Sequence, residues 1–140
     1  MLKKPKNTIS STGLRHLLSQ NQGHDSLKTP VTEKAVFVLR YKKLEIGRLS
    51  IEDGWWTFVY ADDFKNQSKM AALIDFPNID KTYVSETLWP FFSIRIPSLR
   101  RPSVQRIIKK ENIDERNTVE LLKRFGKKTI SNPFYLAVAS

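Results

Sequence analysis

At 140 residues, with 40% apolar and 27% charged side chains, the chain has the size and composition of one soluble globular domain. The absence of cysteine excludes disulfides and thiolate metal sites, no apolar run reaches the length of a membrane span, and a reducing cytoplasm is the expected compartment. The net charge of +10 is unevenly shared: residues 1–34 carry six Lys/Arg and two acids (+4), 35–94 seven and eight (−1), and 95–140 eleven and four (+7).

Residues 1–33 mix Ser, Thr, Asn, Gln and Gly and read as a mobile polar arm ahead of a single domain over 34–140. Leu14, Leu17 and Leu18 give residues 12–20 the spacing of a helical turn, too short to stand alone. The arm lacks the second helix that a helix-turn-helix needs. Its early lysines have no apolar stretch behind them, so no signal peptide is expected.

From Ala35 the pattern changes to strands. Ala35–Tyr41 is an apolar, β-branched run, and Leu44–Glu52 alternates around Gly47, where a bulge or a close backbone approach is expected. Asp53-Gly54 is a tight-turn signal that returns the chain through Trp55–Tyr60. Trp55 and Trp56 alternate across that strand, so one of them should face outward. A short acidic loop at 61–65 then leads to a fourth strand over 70–76, ended by Pro77. The prediction is a small antiparallel sheet of about four strands.

The second half reads as about three short helices, which makes the fold class α+β. Ser85 is placed as the N-cap of a helix over 86–93, with Pro90 near its start. Ser103 is placed as the cap of 104–111, where Val104, Ile107 and Ile108 fall at helical spacing. Asn117 or Thr118 caps 119–125, and Gly126 stops that helix as a C-terminal glycine. Residues 132–139 should pack as an extended strand against the body.

Two features bear on function. The stretch SETLWPFF at 85–92 joins its aromatic residues through a proline. Phe92 is assigned to the core, Phe91 is open, and Trp89 faces either a partner or the core. From Arg95 to Lys110 six bases (Arg95, Arg100, Arg101, Arg106, Lys109, Lys110) occur without an acid. Such a run suits nucleic acid, an acidic protein or plain solvation.

No catalytic machinery accompanies them. The glycines stand isolated at 13, 23, 47, 54 and 126, and no kinase catalytic-loop or metal-binding motif is present. His16 and His24 have no carboxylate or nucleophile arranged around them. The paired acids Glu52-Asp53 and Asp62-Asp63 fit turn chemistry. The chain is expected not to be an enzyme and to need neither cofactor nor metal.

The succession LEIGRLS, a DG turn with WWTFVY, ALIDFP, YVSETLWPFF and NTVELLKRFGKKTISNPF resembles the N-terminal subdomain of HipA-type serine/threonine kinases, the toxins of HipBA toxin–antitoxin systems. The resemblance spans roughly residues 36–136. With no kinase elements following it, the chain is similar to the HipS type, the free-standing form of this subdomain in tripartite HipBST systems. The resemblance implies an antitoxin that binds a HipT-type kinase in trans, beside a HipB-type DNA-binding protein. Its own contact with DNA would be indirect or weak, and no membrane is involved.

Trp89 stands where this family commonly has arginine, and it is the first candidate for partner binding, together with Phe91. Arg95, Arg100 and Arg101 are candidates for meeting acidic groups on the kinase. Two other readings stay open. One is a basic nucleic-acid-binding module that uses 95–110, and the other an inactive fragment of a split HipA gene.

Overall fold

Period-two alternation along adjacent strands gives the sheet one buried face. The computed structural model describes residues 29–139, so the turn at 12–20 and both histidines lie outside the described residues. Among the described residues five strands, β1 Ala35–Tyr41, β2 Leu44–Glu52, β3 Trp55–Tyr60, β4 Tyr83–Ser85 and β5 Tyr135–Val138, run antiparallel in the order β4-β3-β2-β1-β5. Leu49 lies opposite Phe37 and Phe58, and Ile51 lies opposite Ala35 and Trp56. None of these side chains is more than 1% exposed, and burial of each large one contributes roughly 1.5–3 kcal/mol.

Among the described residues four helices, α1 Asp62–Lys65, α2 Pro90–Ser93, α3 Pro102–Lys110 and α4 Thr118–Phe125, complete the α+β fold. Phe64, Phe92, Val104, Ile108, Val119 and Leu121 bring them into the same buried cluster as the sheet. Among the described residues, no helix is long and apolar enough to cross a membrane. Residues ahead of β1 touch the body: Thr29 Oγ1 accepts from Trp56 Nε1 at 2.9 Å, and Glu33 Oε2 accepts from Asn117 Nδ2 at 3.4 Å.

Backbone chemistry explains the turns. Asp53 and Gly54 both have positive φ, 54° and 79°, as a two-residue hairpin turn requires. At Gly47 the register slips: Leu39 faces Gly47 while Arg40 faces Glu45, which leaves Ile46 as the extra residue of a bulge. A Cβ at Gly47 would lie 2.6 Å from the Val59 carbonyl oxygen, so the close approach expected there is present as well. Trp56 is fully buried and Trp55 partly exposed, which resolves their alternation.

Several expectations are corrected. Residues 70–76 form no strand, because Leu73 and Phe76 both point inward three residues apart while Ile74 is 94% exposed. The Tyr60 hydroxyl takes the place of a strand partner, accepting from Leu73 N at 2.8 Å and donating to Phe76 O at 2.6 Å. The fourth strand is instead β4, with Tyr83 opposite Phe58 and Ser85 opposite Trp56.

Ser85 ends β4 and caps no helix. Its Oγ accepts from Thr87 N at 3.0 Å and donates to Thr87 O at 2.7 Å, which closes a local turn. Pro90 disfavours helical geometry at Trp89 (φ −64°, ψ 148°), so α2 begins at Pro90. Pro102 likewise opens α3 with Arg101 as its N-cap, and this puts Ser103 inside the helix. For α4, Asn117 is the cap, its Oδ1 accepting from Glu120 N at 3.1 Å.

Gly126 follows α4 at φ −83°, outside the left-handed region of a C-terminal glycine. Space dictates it instead: a Cβ there would lie 2.5 Å from the Leu122 carbonyl oxygen. The acidic segment at 61–65 folds as the single turn of α1, with Asp62 and Asp63 at its N-terminal end. The extended C-terminal segment does join the sheet, as β5.

Candidate docking surface

Phe76 is the hub from which the surface around α2 is built. Fully buried, it stacks on Phe58 with ring centres 4.3 Å apart and meets Phe92 at 6.0 Å. Trp89 packs edge-to-face on it at 5.1 Å and is itself half-buried. The indole therefore has one side on the core and another at the surface.

A single turn of helix then divides the two phenylalanines. Phe92 is fully buried, whereas Phe91 is partly exposed, T-shaped against Phe92 at 5.1 Å and 5.8 Å from Phe134. The Phe91 amide donates to Asp75 Oδ2 at 3.2 Å, which fastens the exposed Ile74–Asp75 turn beside α2. Ile94, at the end of α2, is 49% exposed. Trp89 and Phe91, with Ile74 held nearby through Asp75, thus form a partly exposed apolar rim.

Phe134 carries this surface onward, making an edge contact with Tyr41 at 6.0 Å. Beyond it opens an apolar groove of about 590 Å³ lined by Tyr41, Leu44, Gln67, Lys69, Met70, Pro133 and Phe134. Gln67 shapes one wall: its Oε1 accepts from Met70 N at 2.9 Å, and its Nε2 donates to Phe64 O and Met70 O. Lys69 sits in the lining, with Lys42 over the Tyr41 ring beside it.

The structure treats the candidate site residues differently. Trp89 and Phe91 are adjacent and partly exposed. Arg100 and Arg101 are exposed in the loop leading into α3.

Arg95 lies inside, at 3% exposure, and the expectation that it meets a partner is corrected. Its guanidinium donates to the carbonyls of Gly126 (2.9 Å), Lys127 (3.3 Å) and Phe134 (3.0 Å) and to Asn132 Oδ1 (3.2 Å). Arginine alone offers that many donors in one plane. Desolvation lowers its pKa to about 10, and its Nε is buried without a hydrogen-bond partner. Arg95 acts as a clamp on residues 126–134, and through them it positions Phe134.

The groove went unforeseen in the sequence. A strand over 70–76 would not bring Met70 to a groove, and Phe134 stands in the sequence as part of an extended segment and the end of the last family motif. A signal was available in the spacing of Leu73 and Phe76, which is wrong for a strand.

A family model described as the HipA N-terminal domain matches residues 38–131, about two thirds of the chain. The chain belongs to the HipA N-terminal domain family. That places it in a toxin–antitoxin context. The comparison with curated proteins gave no match. The matched span of this HipA N-terminal domain includes Trp89, Phe91 and Arg95 and ends just before Phe134, so the groove's far wall lies beyond it.

Proposed function

We propose that this HipA N-terminal domain is an antitoxin that binds, in trans, a HipT-type serine/threonine kinase lacking its own copy of the domain. A HipB-type DNA-binding protein completes the assembly in the cytoplasm. The chain acts by binding and carries out no catalysis of its own. Family membership supports the kinase as partner.

The observation that carries the reading is the half-buried Trp89 beside Phe91. Aromatic side chains anchored on the core and open at the surface are the usual source of interface energy. A domain docked there on the kinase N-lobe restrains the closure that phosphoryl transfer needs.

The test is co-expression with the kinase encoded by the neighbouring reading frame. The expected result is a stable co-purified complex with suppressed autophosphorylation. A kinase that purifies alone and stays active in the presence of the chain overturns the proposal.

A further inference from the structure

We infer that the outward face of α3 binds the phosphate backbone of duplex DNA. The helix buries Val104 and Ile108 and turns Arg106, Lys109 and Lys110 to solvent, with Arg101 exposed at its N-cap. Over nine residues, about 13 Å of axis, no acidic side chain interrupts this row. Arg101, Arg106 and Lys109 form no ion pair among the described residues. The nearest acid, Glu111, is engaged by Arg124 of α4 at 2.7 and 3.0 Å.

Helix energetics do not account for the row. Lys109 and Lys110 suit the negative C-terminal end of α3, but Arg101 stands at the positive end, where the first turn has no acid. The arrangement costs helix stability and raises the local positive potential, which a bound anion reverses.

The type of anion follows from what the face lacks. Pro102, Ser103, Arg106, Lys109 and Lys110 make up the exposed side of α3 with no aromatic anchor among them, and the partly exposed Ile107 is the single large aliphatic side chain beside them. Protein interfaces centre on such anchors, and single-stranded nucleic acid requires aromatic platforms for its bases. A row of cations alone fits the phosphates of a duplex, which presents one charge per about 1.7 Å of its axis. The row shares no residue with the Trp89–Phe91 surface, so the inference stands without the kinase reading.

The experiment measures binding of the full chain alone to a labelled mixed-sequence DNA duplex by fluorescence anisotropy across a salt series. Four phosphate contacts predict a slope of log K against log salt of about −3.6. That is a loss of about a hundredfold between about 50 and 200 mM salt.

The double variant Arg101→Glu/Arg106→Glu should cut the slope by about two while keeping its circular dichroism spectrum. A triple variant, Lys3→Gln/Lys4→Gln/Lys6→Gln, should leave at least that part of the slope intact. Absence of binding at the lowest salt overturns the inference. So does a slope unchanged by the α3 substitutions, or competition by polyglutamate as strong as by unlabelled duplex at equal charge.

Discussion

Arg95 reaches the carbonyl of Gly126 at 2.9 Å from inside the fold, across 31 residues of sequence. The side chain starts just past the end of α2 and closes on the segment between α4 and β5. Truncation by Arg95→Ala strips partners from the carbonyls of Gly126, Lys127 and Phe134 together. The expected loss is at least about 3 kcal/mol, read as a lower urea midpoint. Arg95→Lys should recover little of it, because one ammonium does not span the plane of four acceptors. A midpoint matching the parent's in either variant removes the clamp.

Trp89→Ala separates anchor from core. With part of the indole already at the surface, the domain should stay folded and lose roughly 1–2 kcal/mol of stability. Kinase affinity should fall more steeply, by about 2 kcal/mol or more, near thirtyfold in Kd. Isothermal titration paired with a urea melt of the same variant checks both numbers. Equal losses in folding and in binding identify Trp89 as core alone.

Met70→Glu tests whether the groove is part of the same surface. The backbone of Met70, through its N and O, holds Gln67, while the side chain lines the groove. The substitution should therefore spare the fold and weaken kinase binding by about tenfold, near 1.4 kcal/mol. Unchanged affinity confines the interface to Trp89 and its neighbours.

Tyr60 gives a pH signature. Burial raises its pKa from 10.0 to about 12, with the Leu73 amide bond opposing. The folded state thus holds the phenolic proton more tightly than the unfolded chain does. Its contribution to stability is complete below pH 10 and is lost as pH rises through about 12. Tyr60→Phe should abolish a late step in the ultraviolet tyrosinate titration and cost about 1–3 kcal/mol at neutral pH. Arg95, whose pKa is lowered, works in the opposite direction in alkali. It is common to both chains, so the difference between them isolates Tyr60.

Where backbone chemistry was local, the sequence was legible. An apolar β-branched run marks β1, alternation marks β2, and Asp53-Gly54 marks the turn that returns as β3, because strand pattern and positive φ are set within a few residues. Asn117 was read as one of two candidate caps for α4 on the same local grounds.

Long-range effects defeated the reading. The Tyr60 hydroxyl turned 70–76 into a loop from 13 and 16 residues away, and short-range spacing carries no trace of such a bond. The charge of Arg95 suggested the surface, yet carbonyls more than 30 residues downstream supply its environment. Trp89 and Phe91 were legible as a motif, while their continuation into the groove through Phe134 needed the third dimension.

The pairing of β1 with β5 sets a schedule for synthesis. Phe37 and Val138 are register partners at opposite ends of the described chain. As the chain leaves the ribosome, the β1–β2–β3 meander can form early, but the flank of β1 stays unsatisfied until residues 135–138 emerge. Contacts of such long sequence separation slow folding and prolong the exposure of an unpaired strand edge. The same late segment supplies Pro133 and Phe134 and the carbonyls that Arg95 holds. A nascent chain therefore has no finished groove, and no Arg95 clamp, until β5 has emerged and paired with β1.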